Sequence, residues 1–528
     1  MLTSFSGKAY DVIVLGSGIS GTLAAVILAK KGYRVLIIDG ASHPKFAVGE
    51  STTPNTSQMF ELLGKRYGIP EISVLAHGPE AIRKHITTSC GVKQAFVFLY
   101  HDEGKPLDLA KSNVFGNVWR DENHLFRQDI DAHLFRTALR YGAEALEEHR
   151  VKTLDIGESG VEVVTDRGVK VSGRFLIDGC GPRGPLVDSL RLREGAEPLK
   201  SDSRSIFTHF VDIPEFKECL EPGEGPQWLP GTYHHLFNGG WFWVIPFNNW
   251  KGATNPAISV GLTLDNRVHP RREGVTPEEE FRSHVARFPT VAKHFANAKP
   301  IRPWVSVPKC QYSSRQVVGD RWCLMAHSAG FVDALYSSGL VMTVSTVQQL
   351  IEPLCRALDS DRFSRDAFLC VEEDMQRRLR FTDMLVFGSY TSLRDFELWN
   401  AWVRIWGIWL VVLESNLGSH LLMGEYSKVR PNRDPIASVH EPEGYKPFIE
   451  AAFRVIEDVA EGRRTTADGV EALWRIIGEY DFEIRLRPEP EFAGTEWAMK
   501  SRRSRDLFLG TPANHVRWQQ RKTDPWLG

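Results

Sequence analysis

The first apolar run of the chain, Tyr10-Asp11-Val12-Ile13-Val14-Leu15, is short and β-branched, and it predicts a parallel strand buried on both faces. It stops at Gly16-Ser17-Gly18-Ile19-Ser20-Gly21; Thr22–Lys31, rich in Ala, Leu and Lys, then predicts a helix. A second strand, Tyr33–Asp39, follows Gly32 and closes on an acid. Farther along, Ala132–Tyr141 has helical spacing, with Arg127-Gln128-Asp129 just before it. Lys93 opens a predicted strand through Tyr100, and Phe175–Asp178 is a strand ending in the turn Asp178-Gly179-Cys180-Gly181. In Gly240-Trp241-Phe242-Trp243-Val244-Ile245-Pro246, alternation puts Trp241 and Trp243 on one face of a strand. After about residue 350 the pattern turns helical. Trp399, Trp402, Val403, Trp406, Leu410 and Leu413 share one helix face, either packed on the first domain or walling an aromatic pocket. Arg430–Pro435 reads as a linker or turn, Pro447–Glu479 as helical, and the polar, basic stretch from Arg485 as a loop or docking tail.

The opening unit carries a specific chemistry. Gly16 permits a tight turn, Gly18 lets backbone N–H groups approach a pyrophosphate, and Gly21 allows close helix–strand packing, with Ser20 beside them. The helix N-terminus adds partial positive charge for phosphate, and Asp39 stands where a carboxylate accepts hydrogen bonds from a ribose. Glycine triplets alone occur by chance; strand, glycines, helix, strand and acid together predict dinucleotide binding.

Composition removes other classes. A formal charge of -2 over 528 residues gives no phosphate-tracking surface, so nucleic acid is not an expected partner. The greasiest later stretch, Ile405–Leu413, is far shorter than the roughly 20 residues that cross a bilayer, so no membrane span is expected. Seven dispersed cysteines without a CxxC pair fit reduced thiols in the cytoplasm, and no metal-ligand spacing appears; His234-His235 is taken as structural.

The succession of Arg127-Gln128-Asp129, Asp178-Gly179 and Trp322-Cys323-Leu324-Met325-Ala326-His327-Ser328-Ala329-Gly330 resembles the FAD domain of aromatic hydroxylases, in which the flavin lies across segments distant in sequence. That resemblance implies FAD, with Arg127, Asp178, His327 and Gly330 along it. Relatives place an aspartate where this chain has His327, which either donates to the flavin's ribityl chain or caps the next helix.

Three motifs resemble the flavin-dependent halogenases: Gly49-Glu50-Ser51-Thr52-Thr53-Pro54, the GWxWxIP run Gly240–Pro246, and Asp333-Ala334-Leu335-Tyr336-Ser337-Ser338-Gly339-Leu340. Further likeness to the tetracycline-type branch lies in Arg204–His209, Pro246–Asn249, Gly252–Pro256 and Arg321–His327, so that it reaches from the first strand to about residue 400. The resemblance implies that Gly49, Glu50 and Ser51 lie against the flavin. Ser51 or Thr52 alternatively caps a helix. Trp241 and Trp243 are then tunnel residues rather than plain core, and Ser338 and Gly339 hold a halide. Tyr336 replaces the glutamate of tryptophan halogenases, which favours a phenolic or pyrrolic ring over free indole. The lysine of the family follows Gly-Ile-Pro-Glu; here Gly68-Ile69-Pro70-Glu71 leads to Lys93, with Lys84 as rival.

The implied enzyme is an α/β protein. A Rossmann-type FAD-binding domain with an inserted mixed or antiparallel substrate sheet occupies residues 1–350, and a helical region fills 351–528. A partner flavin reductase supplies reduced FAD, which with oxygen forms a hydroperoxide; halide then gives hypohalous acid, and Lys93 passes it to an electron-rich phenolic or polyketide-derived aromatic. Aromatic hydroxylation and a silent flavin-binding scaffold remain as rivals, and a homodimer is left open.

Overall fold

A computed structural model describes residues 5–116, 120–221, 228–422 and 445–479; the expectations for Arg430–Pro435 and for the stretch from Arg485 lie outside them. The run that begins at Tyr10 forms the strand Ala9–Leu15, buried from Val12 onward. It pairs in parallel with Val35–Ile38 on one side and Lys170–Asp178 on the other. Glu144–Leu146 and Trp322–Leu324 extend this sheet in parallel, and the hairpin Val151–Gly157/Gly160–Thr165 joins Lys170–Asp178 antiparallel. Strand ends coincide at Leu15, Ile38 and Asp178, so the turn at Gly16 opens on the carboxyl edge, where ligands bind in doubly wound sheets.

The second sheet is mixed. Its path runs Lys299–Pro300, Ser203–Val211, Ile258–Asp265, Gly240–Pro246, Gly231–Phe237, Ala95–Tyr100 and Ser112–Gly116, with Gly231–Phe237 and Ala95–Tyr100 parallel and the other pairs antiparallel. Period-two alternation sorts its faces. Trp241, Trp243 and Ile245 join the large core shared with the first sheet and the late helices, whereas Phe242 and Val244 pack with Phe281, Phe288 and Phe295 behind. Trp243 fits because its cross-strand partner is Gly261, where a Cβ would sit 2.1 Å from the indole.

The helix Gly339–Ser360 packs on Ile19–Lys30 and Pro54–Tyr67. Beyond it come Leu369–Ser392 and Phe396–Leu422, then the pair Tyr445–Ala460 and Thr466–Glu479, interrupted at Gly462 (φ +73°). Trp399, Trp402, Val403, Trp406 and Leu410 of the expected face are buried, but so is every residue from 398 to 410, so this stretch is enclosed on all sides; the Leu413 side chain lies outside the described residues. Trp402 donates to Leu385 O at 3.0 Å and lies where a Cβ on Gly388 would be 2.1 Å away.

Local boundaries differ from expectation for physical reasons. The helix expected at Ala132 starts at Arg127, because Arg127 closes an i,i+4 ion pair with Asp131 inside the first turns. Thr53, not Ser51 or Thr52, caps Pro54–Tyr67 by accepting from Thr56 N. Lys93 does not open the strand Ala95–Tyr100; it ends a separate ladder, Gly91–Lys93, and Gln94 turns its N–H to Pro230 O at 2.6 Å as the chain crosses into the large sheet.

Gly21 tests the glycine argument. A Cβ there would lie 2.1 Å from Gly16 O and 3.0 Å from the Val14 side chain. Gly21→Ala is expected to destabilise the protein by about 1–3 kcal/mol through overpacking, read as a lower urea midpoint of the FAD-free chain.

Candidate active site

The glycine turn is shaped to receive a dinucleotide. Gly16 has φ +86°, and a Cβ on it would meet Gly179 O at 2.7 Å; around Gly18 there is no atom within 4 Å of that position. Gly18 precedes Ile19–Lys30, whose first turn holds no acidic residue to compete with phosphate. Open space at a helix N-terminus fits the pyrophosphate of FAD. Asp39 Oδ2 accepts from Ser17 N and Ser17 Oγ, each at 2.7 Å, and forms an ion pair with Lys45. Burial works to raise the Asp39 carboxyl, but Lys45 and Ser17 prevail and hold it below its ordinary value.

Other expected cofactor residues spend their polar atoms inside the protein. Asp178 accepts from Cys180 N at 2.9 Å and Leu186 N at 3.1 Å, which shapes the Gly179–Gly184 turn; its burial raises the carboxyl. Arg127 grips Asp131 with two bonds, 2.7 and 2.8 Å, and gives Nη1 to the carbonyls of Val48 and Gly49, so it pins the loop before Glu50. Burial opposes its charge, but Asp131 outweighs that and raises it. Glu50 accepts from His209 Nε2 at 2.9 Å, and Arg302 Nε donates to His209 Nδ1 at 3.1 Å. Gly330 is closely packed: a Cβ would be 2.5 Å from Leu379 Cδ1 and 3.0 Å from Tyr312 O. His327 lies within the short helix Ala326–Ala329, whose N-cap is Met325; the helix that follows, Gly339–Ser360, takes Ser338 as its N-cap.

Lys93 is fully buried, whereas its rival Lys84 is exposed on the helix Gly78–His85. Its Nζ donates to Ser51 Oγ and Thr52 O, both at 2.7 Å, and stands 3.5 Å from the centre of the Phe96 ring. Burial drives the amine well below the ordinary lysine value, and Glu122, its cross-strand partner, only partly opposes this. Glu122 is as buried as Lys93; burial raises its carboxyl against hydrogen bonds from Ser57 and Thr52, at 2.6 and 2.7 Å.

Two segments, residues 50–52 and Pro246–Asn249, hold the ladder in place. Leu125 N donates to Glu50 O and Thr52 N to Asn123 O, which lays residues 50–52 along Glu122–His124. Asn249 clamps Val92, accepting from its N at 2.8 Å and donating to its O at 2.6 Å. Pro246 O approaches so closely that a Cβ on Gly91 would be 2.2 Å from it. Glu122, His124 and Thr232 were not singled out in the sequence, since Glu-Asn-His reads as an exposed loop; complete burial is their only mark, and it is tertiary.

An aromatic file connects the lysine to the third motif. Trp406 meets Phe96 edge-on at 5.1 Å and stacks on Tyr336 at 4.7 Å. Tyr336 OH donates to Ser389 Oγ at 2.6 Å, because Ser389 gives its own proton to Leu385 O. Trp241 lies 5.7 Å from Trp243 and donates to Tyr390 OH at 3.1 Å; Tyr390 donates in turn to Asp333 at 3.0 Å. Ser337 takes φ +52°, and Ser338 becomes the N-cap of the 22-residue helix Gly339–Ser360, with no acid in its first turn. A Cβ on Gly339 would stand 2.9 Å from His327 Nε2. Burial lowers that imidazole to about 4, with Arg127 adding to the effect. Among the described residues no His/Cys/Asp/Glu group could hold a metal, no helix is long and apolar enough to cross a membrane, and the seven cysteines are unpaired.

A parallel sheet ending in a glycine turn, with a second sheet laid against it, defines a dinucleotide-binding α/β flavoprotein. The sequence matches the tryptophan halogenase family over residues 11–86 and 122–402. Tetracycline 7-halogenase of Kitasatospora aureofaciens is 38% identical over 499 residues, 91% of this chain and 89% of that protein. Monodechloroaminopyrrolnitrin halogenase PrnC of Pseudomonas fluorescens is 37% identical over 490 residues, 90% and 85%. The crystal structure of halogenase PltM with phloroglucinol and FAD matches with a TM-score of 0.85 at 34% identity, covering 93% of this chain and 98% of that one. The chain belongs to the flavin-dependent halogenases, and its cofactor is FAD.

Asp333 offers a pH test. Burial raises its carboxyl to about 6 despite bonds from Ser203, Leu335 and Tyr390. The folded state therefore holds this proton more tightly than the unfolded chain, and stability is lost as pH rises from about 4 through 6. Asp333→Asn removes that dependence. Relative to the parent it is expected to gain on the order of 1–3 kcal/mol between those pH values, measured by urea midpoints.

Proposed function

We propose that this halogenase forms hypohalous acid and delivers it through Lys93 to a phenolic, polyketide-derived aromatic ring. The observation that carries this reading is the complete burial of the Lys93 amine between the Gly49–Pro54 loop and the Phe96 ring. Reduced FAD, when bound, would supply the two electrons that reduce oxygen to a form able to oxidise halide, giving hypohalous acid and water. Gly16, Gly18, Ser20, Gly21 and Asp39 would hold its dinucleotide part. The Gly49–Ser51 loop, pinned by Arg127, together with His327 and the turns organised by Asp178 and Gly330, would line the rest.

Ser338 and Gly339 would hold the halide, since backbone N–H groups at the start of a long helix attract an anion without a basic side chain. Trp241 and Trp243 would wall off the organic substrate. As an ammonium, Lys93 donates a hydrogen bond to hypohalous acid. As a neutral amine it exchanges N–H for N–halogen with release of water, and the aromatic C–H then exchanges for C–halogen and restores the amine. Desolvation favours the neutral amine over the ammonium.

A phenolic ring fits the file Tyr336–Trp406–Phe96, which offers stacking faces, and PltM was solved with phloroglucinol, a phenol. A separate reductase would supply reduced FAD in the cytoplasm, a setting that suits seven unpaired thiols.

The direct test is single-turnover stopped-flow of the reduced-FAD enzyme with oxygen, with and without chloride or bromide, in the presence of a hypohalous-acid trap. Halide-dependent oxidant is expected; its absence, with hydroxylated product instead, would overturn the reading. Lys93→Ala is expected to keep oxidant formation while losing ring halogenation by ~100-fold or more. Full halogenation by that variant removes the lysine from the mechanism.

A further inference from the structure

His124 is fully buried, and its two ring nitrogens face different partners. Nδ1 is 2.9 Å from Pro246 O, a carbonyl that can only accept, so Nδ1 carries the proton. Burial, and after it the neighbouring Lys93, lower the imidazole to about 3, so it is neutral at working pH and Nε2 is an acceptor. Thr232 Oγ1, 2.9 Å away, therefore donates to Nε2. Having spent its proton there, Thr232 accepts from Ser51 Oγ at 3.0 Å. Ser51 has in turn spent its proton on Thr232, and its lone pair faces Lys93 Nζ at 2.7 Å. The chain has one direction: Lys93 to Ser51, to Thr232, to His124, to Pro246.

We propose that His124 is a positioning residue for Lys93: by fixing the direction of this hydrogen-bond chain it obliges Ser51 to accept from the lysine and never to donate to it. The consequence is chemical. A neutral amine attacks halogen with its nitrogen lone pair, and a hydroxyl donating to that nitrogen would occupy the same pair. A tautomer set two hydroxyls away keeps the Ser51 proton pointed elsewhere, while Thr52 O takes a second N–H and fixes the side chain. The assignment rests on the role given to Lys93 above.

Five separate segments meet to build the chain: the ladder strands Gly91–Lys93 and Glu122–His124, the Gly49–Pro54 loop, the strand Gly231–Phe237 and the end of Gly240–Pro246. The titratable groups facing the lysine are Glu122 from the ladder, His124, and His234 from Gly231–Phe237. His234 is also held neutral, lowered to about 3 by burial and then by Lys93, and its Nδ1 lies 3.2 Å from Val97 O. Glu122 and Arg120, which acts on Glu122, bear on the charge of Lys93, but neither enters the hydroxyl chain.

The test reads the tautomer first, in FAD-free protein labelled with 15N-histidine. The His124 ring signal, identified as the one missing in His124→Gln, is expected to show Nδ1 protonated and Nε2 bare from pH 6 to 9. Thr232→Val cuts the chain with little change of volume, and Thr232→Ser keeps it. With the valine, the freed Ser51 proton turns to the neutral amine and stabilises it. The Lys93 limb of the halogenation pH profile is then expected to move about one unit toward acid, with roughly tenfold slower turnover above that limb. The serine variant is expected to keep the parent's profile. A His124 protonated on Nε2, or cationic, overturns the proposal; so does a Thr232→Val enzyme slowed equally at every pH. Full halogenation by Lys93→Ala would remove the function assigned to the lysine and this proposal with it. That failure is distinguishable, because the His124 spectrum would still be as expected.

Discussion

An amine deprived of water must be given other partners, and much of the local architecture follows from that demand at Lys93. Removing an ammonium from solvent costs several kcal/mol unless hydrogen bonds and a counter-charge replace its hydration. The partners here are a hydroxyl and a carbonyl from the consecutive residues Ser51 and Thr52, the aromatic face of Phe96 and the cross-strand carboxylate of Glu122. For Thr52 O and Ser51 Oγ to converge on one nitrogen, residues 50–52 must lie along Glu122–His124, and the Arg127 guanidinium holds the approach to that loop through Val48 O and Gly49 O. Arg127 is itself affordable only because Asp131 neutralises it within one helical turn. One buried charge thus sets requirements on a second and a third.

The two-stranded ladder explains how so polar a unit survives inside an apolar body. Its backbone is satisfied from both sides, by residues 50–52 along one edge and by the amide of Asn249 on the other. Two of its side chains are held through the neighbouring loop, with Thr52 giving its carbonyl to Lys93 and its hydroxyl to Glu122. The Pro246–Asn249 segment, which closes the tryptophan strand, therefore serves the lysine as well as the aromatic wall. Trp241 and Trp243 present one face of that strand, and its terminal carbonyl fixes the proton on His124.

What could be read in the sequence was whatever local geometry makes unavoidable. Gly16 and Gly21 are legible because a tight turn and a helix packed on a strand leave no room for a side chain, and the collisions at 2.7 and 2.1 Å express that reasoning. The indole face of Gly240–Pro246 and the tryptophan helix were legible through period two and period 3.6. Glu122, His124 and Thr232 were not, since a polar triplet and an isolated threonine give no periodic signal, and their burial is decided by strands far away in sequence. Arg127 and Asp178 were found through resemblance, yet their side chains serve loops rather than open space. An acid or a base beside a glycine turn reads alike whether it grips backbone or faces a ligand.

The groups proposed for halide and for lysine chemistry lie on different elements, and what joins them is apolar. Ser338 and Gly339 begin a helix that packs against the glycine-turn helix, whereas Lys93 ends a ladder supported by the second sheet. Between the third motif and the lysine stand Tyr336, Trp406 and Phe96 in continuous contact. Trp406 comes from the late helix Phe396–Leu422, so that helix packs against both the second sheet and the third motif. The file turns mainly ring faces toward one another, and its phenol O–H is already given to Ser389 Oγ. An oxidant formed near the helix start, as proposed, would have mainly ring faces beside it before it reached Lys93. Selectivity in such a site comes from withholding partners along the way as much as from supplying one at the end.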